Sequence, residues 1–407
     1  MQSGKFNVIL DGFWGSSGKG KTSTWLADKY GVSRISSSNF PNAGHTAAFE
    51  DGTKFVAKAI PTAAILKKVK GIGVQCFLSP GSGFAWPQFA REWVESGRPD
   101  IFVHSRASIV DERHKLREAE GQESTKHIAS TMQGSATAIV DKVLRKADCA
   151  LAGSSDFETT VRSLYASDPL VRDMLGRDDA TLGEFLEKVR VIEAMHFRDL
   201  THEAINSGLM WLHEGSQGYA LSIDHGSHYP FCTSRNCTIQ SAMDHMAIPP
   251  RMMGDVYLNL RTFPIRVGNV VEDGVQKGYS GDFYSDCREW TWDEVASYSG
   301  MPANEAKALA ERERTTVTKR IRRVTNFSFE GLRDAVRVNG ATKLVMNFMQ
   351  YIDWSDNGLK GGREAFNKLS KKSREFLDKV EAEANVPVVL IGTGALHDEM
   401  IARDEFL

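Results

Sequence analysis

The residues best equipped for chemistry lie close together near the start of the chain. At 15–22, Ser16, Ser17, Lys19, Lys21 and Thr22 are interleaved with Gly15, Gly18 and Gly20. This stretch satisfies the spacing G-x-x-x-x-G-K-[ST]. In that pattern loop N–H groups cradle phosphate, a lysine reaches phosphate oxygens and a hydroxyl meets Mg2+. An apolar run at 6–10 precedes it and stops at Asp11-Gly12, and residues 22–30 read as the first turns of a helix. Strand, glycine loop, helix is the layout whose loop amides and helix N-terminus point at an anion. GTPases, ATPases and kinases all use such loops, so other segments must decide the reaction.

Four further stretches carry candidate groups. The loop at 39–46 holds Asn42, Ala43, Gly44, His45 and Thr46, and a Pro and two Asn mark it as irregular. The Ser/Thr/Gly segment 127–135, with Ser130 and Thr131, precedes a helix at 137–146, and reads either as a second anion site or as an ordinary cap. The motif at 214–218 (EGSQG) and the polar run at 224–238 form a long loop rich in donors, which inside a compact domain is usually functional. His225 and His228 invite a metal reading, but no third ligand stands at sensible spacing. The basic stretch 312–323 reads as a solvated face, as a nucleic-acid patch, or as arginine forks for carboxylate and phosphate.

The elements that must position these groups alternate. Strands are expected at 34–38, 54–60, 72–78, 100–104, 209–212, 342–348 and 386–391, the last of the chain. Helices are expected at 84–96, at 113–120 as a solvated surface, and at 361–384 as one amphipathic rod. Residues 150–180 are polar and irregular in pattern. A capping box at Thr181–Glu184 opens a helix whose stripe runs through Leu182, Leu186, Val189, Ile192, Met195 and Leu200 to a stop at Gly208. Strands alternating with helices imply an α/β fold, with a large, mostly parallel sheet covered by helices on both faces. No linker or repeat divides the chain, so one domain over 1–407 is expected. A net charge of −2 argues against a generally nucleic-acid-coating surface. Five cysteines without zinc spacing suit free thiols in a reducing compartment, and no apolar run reaches membrane-spanning length. A cytoplasmic protein is the expectation.

Taken together, the motifs resemble the adenylosuccinate synthetase family nearly end to end. GSSGKGK, NAGHT at 42–46, DKV at 141–143, EGSQG at 214–218, IDHG and YPFCTS at 223–234, TKRIRR at 318–323 and IGTG at 391–394 stand in the family's order. The resemblance implies a ligase that uses a nucleoside triphosphate to phosphorylate O6 of a purine nucleotide, after which the aspartate amine displaces that phosphate. By position it implies the following roles. Lys19 holds the transferring phosphate, and His45 donates to charge developing around O6. Gly15, Ser17, Gly18, Gly20, Lys21, Thr22, Gly44, Thr46 and Arg322 serve the donor nucleotide, whose base lies near 347–350 and 392–395, with Asn347, Gln350, Gly392 and Gly394. Ser16, Asn42, Ala43, Ser130, Thr131, Gln217, Thr233 and Arg320 hold the purine monophosphate. Thr316, Val317, Thr318, Arg320 and Arg322 hold L-aspartate. The Gly44 carbonyl and the residue at 16 ligate Mg2+, and Arg145 reaches the neighbouring subunit's phosphate site, implying a homodimer.

Two departures from the family matter. Its loop reads GDEGKGK, with an aspartate that takes the N1 proton and ligates Mg2+; here Ser16 and Ser17 replace both carboxylates. Its T-K-L-D aspartate, which reads guanine, is replaced by Gln350 in the run Asn347-Phe348-Met349-Gln350. An amide both accepts and donates and suits an adenine edge, pointing to ATP or dATP. Both departures are shared by one branch, the 2-aminoadenylosuccinate synthetases of bacteriophages with diaminopurine DNA. That resemblance implies dGMP as acceptor. From the residues themselves, the expectation is that small, neutral Ser16 leaves room for the C2 amine and holds a water that takes the N1 proton. The alternatives are an ordinary family member using IMP and GTP, and a P-loop ATPase switch.

Overall fold

The computed structural model describes residues 1–120, 124–315 and 317–406. Phe6–Asp11 is buried at every position and forms the centre of a ten-stranded sheet. A strand covered on both faces needs apolar residues on both, and this one divides them. Phe6, Val8 and Leu10 join one apolar layer, while Ile9 joins the other with Leu212, Tyr257 and Val345.

From one edge to the other the strands run Met400–Ala402, Val388–Gly392, Lys343–Asn347, Met253–Arg261, Phe6–Asp11, Trp211–Glu214, Arg34–Ser37, Gln75–Leu78, Asp100–His104 and Val189–Ile192. Every neighbouring pair is parallel except the first. The protein is therefore α/β, with a mostly parallel sheet between helical layers. Parallel strands bring their carboxyl ends to one edge, where open α/β sheets bind ligands. Asp11, Glu214, Arg261, Asn347 and Gly392 all end strands on that edge.

Several expectations are corrected. The long helix opened at Thr181 is broken. Asp178, not Thr181, caps Asp179–Lys188, and Val189–Ile192 leaves the helix to become an edge strand before Ala194–Asn206 resumes. Val189, Val191 and Ile192 are β-branched, and pairing with Asp100–His104 overrides helical spacing. Met195, assigned to the buried stripe, is 66% exposed. The irregular stretch 150–180 contains helices Phe157–Ser167 and Pro169–Met174, capped by Asp156 and Asp168. The rod at 361–384 is two helices, Arg363–Lys368 and Lys371–Ala384, the second restarted by the Ser370 cap. Val388–Gly392 is not the last strand, since Met400–Ala402 folds back antiparallel onto it. The helix Glu112–Ala119 is not simply solvated, because His114 and Glu118 are buried.

Candidate active site

The phosphate loop is folded around Asp11. Its Oδ1 accepts from Phe13 N at 2.9 Å and Gly15 N at 3.2 Å. Its Oδ2 accepts from Ser17 N at 3.2 Å, Ser17 Oγ at 2.5 Å and Lys19 Nζ at 3.3 Å. A carboxylate so fully engaged is an organiser of the loop. Gly18 caps the helix Lys19–Tyr30 in the left-handed region at φ 88°, with no side-chain cap, so the first amides stay open to a ligand. Ser16 also sits at positive φ, 54°, with its side chain exposed. The loop at 215–218 closes over it, and a Cβ on Gly218 would lie 2.2 Å from Phe13 O.

The two lysines of the loop part company. Lys19 Nζ donates to Gln217 O at 2.7 Å and faces the loop. Lys21 points away and donates to Gly394 O at 2.7 Å and Glu399 O at 2.8 Å. Burial pushes its ammonium down to about 7. The Thr22 hydroxyl accepts from Asn259 Nδ2 at 2.9 Å. The sequence pattern gives phosphate to Lys21 and Mg2+ to Thr22; in the structure both groups are spent on protein partners. Lys21 instead ties the loop helix to the segment carrying Gly392 and Gly394.

His45 starts the hairpin His45–Ala48/Lys54–Ala57, which lies outside the main sheet. Its Nδ1 is 2.5 Å from Glu214 Oε1, at the end of a central strand. Glu214 also accepts from Thr62 Oγ1 at 2.7 Å and Thr62 N at 3.1 Å. Burial works against its charge, but the His45 hydrogen bond and charge and the Thr62 hydroxyl hold the carboxyl below its ordinary value. An ionised Glu214 fixes Nδ1–H as donor and leaves Nε2 as the nitrogen free for a ligand.

The basic stretch is already largely neutralised. Arg312 pairs with Glu305, Arg314 with Glu311, Arg322 with Glu313 and Arg323 with Glu289. This is not the open cationic surface of a nucleic-acid patch. Arg320 Nη2 donates to Ala129 O at 2.8 Å and Ser130 O at 3.0 Å, and its Nε to Thr318 Oγ1 at 3.1 Å. The stretch is thereby joined to the segment holding Ser130 and Thr131. The helix Ser135–Val143 is not open as a second anion site, because Glu118 accepts from Gly134 N, and its other oxygen from Ser130 Oγ at 2.8 Å. Thr316 lies outside the described residues. Among these, no cluster of three metal-ligating side chains exists around His225 and His228 or elsewhere.

Gln350 follows Phe348, itself at φ 65°, on the turn Met349–Tyr351, and is only 7% exposed. Asn347 Nδ2 reaches back to Ser17 O at 2.8 Å, so the end of the strand Lys343–Asn347 and the glycine loop are in direct contact. Buried polar atoms without a protein partner include Asn42 Oδ1, Ser216 Oγ, Gln217 Nε2, Arg320 Nη1, Arg322 Nε and Gln350 Oε1. Such atoms are rare in native interiors. These six lie in segments singled out by the sequence and are available to polar ligands. Thr46 lies in the hairpin beside His45, Thr233 N donates to Leu221 O, and Thr131 O accepts from Gln133. Arg145 is exposed at φ 53°, just beyond the helix Ser135–Val143, and no hydrogen bond or ion pair holds its guanidinium among the described residues. Asp11, Arg261 and Glu313 stand in no motif that assigns them a role, and Glu214 opens EGSQG without one. The placing of Asp11 and Glu214 at strand ends beside glycines was the available signal.

Comparison with known proteins fits this geometry. The adenylosuccinate synthetase family model matches residues 8–357. The adenylosuccinate synthetase of Methanocaldococcus jannaschii is 30% identical over 98% of this chain and 97% of its own. The N6-succino-2-amino-2'-deoxyadenylate synthase of Vibrio phage phiVC8 is 31% identical over 86% of this chain and 88% of its own. A solved structure of the cyanophage S-2L succinoaminodeoxyadenylate synthetase, bound to dGMP and dATP as an energy donor, superposes with a TM-score of 0.75. It is 26% identical, over 98% of this chain and 95% of that one. With its sheet, its phosphate loop and these relatives in agreement, the chain belongs to the adenylosuccinate synthetase family of carbon–nitrogen ligases.

Proposed function

We propose that the protein joins L-aspartate to C6 of dGMP at the expense of ATP or dATP, giving N6-succino-2-amino-dAMP for diaminopurine DNA synthesis. The observation that carries this reading is Gln350: a buried amide on the base turn whose Oε1 has no protein partner. An amide oxygen accepts from the adenine 6-amino group while its NH2 donates to a ring nitrogen. A guanine edge, which offers two donors to a carboxylate, fits it less well. Neutral Ser16 is the second support, since a small side chain at the acceptor edge leaves space for a C2 amine. The phage relatives support the same choice.

In this reading O6 of dGMP attacks the γ-phosphorus, the donor leaves as its diphosphate, and the N1 proton departs through a water held by Ser16. The aspartate amine then adds at C6, loses a proton, and O6 leaves with the phosphate. Lys19 and the Nε2 of His45 meet the charge on the transferring group, a task for preorganised donors. Thr318, Arg320 and Arg322, with Thr316 and Val317, hold the aspartate carboxylates. Mg2+ fits the donor set. Ser16 and the Gly44 carbonyl are the hard oxygen donors that would hold it, and nucleotide phosphates would supply the negative charge that Asp11, committed to loop donors, does not. When bound it neutralises phosphate charge. A homodimer in which Arg145 reaches the acceptor phosphate of the neighbouring subunit completes the reading.

The second reading, an ordinary adenylosuccinate synthetase acting on IMP with GTP, is favoured by the archaeal relative that matches the chain end to end. The test is to cross dGMP, GMP and IMP with ATP, dATP and GTP, in Mg2+ and L-aspartate, and weigh the succino-nucleotide by mass spectrometry. Product from dGMP with an adenine donor is expected. Product only from IMP with GTP overturns the proposal in favour of the second reading.

A further inference from the structure

Arg261 ends a central strand, 1% exposed and in register with Asn347. Its Nη1 donates to Ser16 O at 3.2 Å, and its Nη2 to Glu313 Oε1 at 3.0 Å. Its guanidinium lies 4.0 Å from the Phe348 ring, the residue that begins the donor-base turn. Tyr351, at the end of that turn, donates its hydroxyl to the same Glu313 Oε1 at 2.9 Å. The other carboxylate oxygen, Oε2, takes Arg322 Nη1 at 3.2 Å. Trp292 Nε1 fixes the Arg322 carbonyl at 2.9 Å. One buried carboxylate thus gathers a strand-end arginine, the base turn and an arginine of the expected aspartate site.

The charges do not balance within this group. Two guanidiniums share one carboxylate, and both Arg261 Nε and Arg322 Nε lack a protein partner. Buried charge is costly unless paired, so the surplus positive charge is an invitation to an anion. Glu313 is itself held below the ordinary carboxyl value: burial pushes it up, but the Arg261 and Arg322 charges outweigh burial.

We infer that Arg261 and Glu313 are positioning residues that brace the donor-base turn, the phosphate loop at Ser16 and Arg322 into one unit, so that donor-base contacts are felt at the aspartate site. The inference rests on the ligase reading above. It assigns no contact with the reacting atoms to either residue.

Tyr351→Phe is the discriminating variant. It removes one hydrogen bond, the one from the base turn to Glu313, and keeps the ring and both Glu313–arginine pairs. Full-length wild type, Tyr351→Phe, Glu313→Gln and Arg261→Lys are compared by steady-state kinetics in aspartate and by calorimetric titration with Mg-ATP in the presence of dGMP. The expected result is that Glu313→Gln raises both the aspartate KM and the ATP Kd by about tenfold, the scale of a lost charged hydrogen bond. Tyr351→Phe raises both by about threefold. Arg261→Lys, which keeps the charge but not the fork, falls between the two. An aspartate KM unchanged in Tyr351→Phe while ATP binding weakens overturns the coupling. A lowered Tm in Glu313→Gln with both constants unchanged overturns the positioning role. Absence of product from wild type with every nucleotide pair counts against the ligase reading instead, and the ATP titration still tests the link between Glu313 and the base turn.

Discussion

His45 Nδ1 and Glu214 Oε1 meet at 2.5 Å, joining a hairpin outside the sheet to the end of one of its central strands. This contact fixes the orientation of the His45 ring. Glu214→Gln is expected to lower kcat about 10²-fold, at the low end for a mispositioned acid–base group, with little change in nucleotide Kd. The pH response has a definite sign. The folded carboxyl lies below its ordinary 4.5, so its stabilisation is complete above that pH and is lost as pH falls through the folded value. Urea titrations between pH 6 and 3 should show wild type losing more stability than Glu214→Gln.

Lys21 titrates in the other direction. Its folded value is pushed down to about 7 from 10.5, so between these limits the unfolded chain binds the extra proton. Stability should therefore rise with pH from about 7 to 9, by up to about 1.4 kcal/mol per unit. Lys21→Met should flatten that slope. It also strands the Gly394 and Glu399 carbonyls, at a cost of about 1–3 kcal/mol, and should weaken donor binding.

Gln350 and Ser16 are the specificity pair to exchange. Gln350→Asp should move the ATP/GTP ratio of kcat/KM toward GTP by about tenfold or more, because a carboxylate accepts from both guanine donors. Ser16→Asp should move acceptor preference from dGMP toward IMP. An unchanged dGMP/IMP ratio would show that the C2 amine lies elsewhere.

In the proposed homodimer Arg145 would act on a neighbouring subunit. Val143 and Leu144, just before it, are 69% and 59% exposed, and Leu116 on the adjacent helix is 58% exposed. A dimer contact of the kind proposed would cover these side chains. Val143→Glu with Leu144→Glu should convert a dimer to a monomer in light scattering and raise the dGMP KM, while Mg-ATP binding stays within about twofold of wild type.

The sequence by itself determined the order of motifs, the strand–loop–helix around Lys19, the α/β alternation and the two departures at Ser16 and Gln350. These are local or positional facts, carried by glycine spacing, apolar runs and side-chain identity. Contacts between residues distant in the chain were decided only by the tertiary structure. Val189–Ile192 became a strand because Asp100–His104 offered it an edge. Lys21 is turned away from the glycine loop because carbonyls some 370 residues away claim it. Asp11, Glu118, Glu214 and Glu313 each look like ordinary acids in the sequence. Their work follows from burial, which obliges every carboxylate to find donors, and those donors lie wherever the folded sheet brings them.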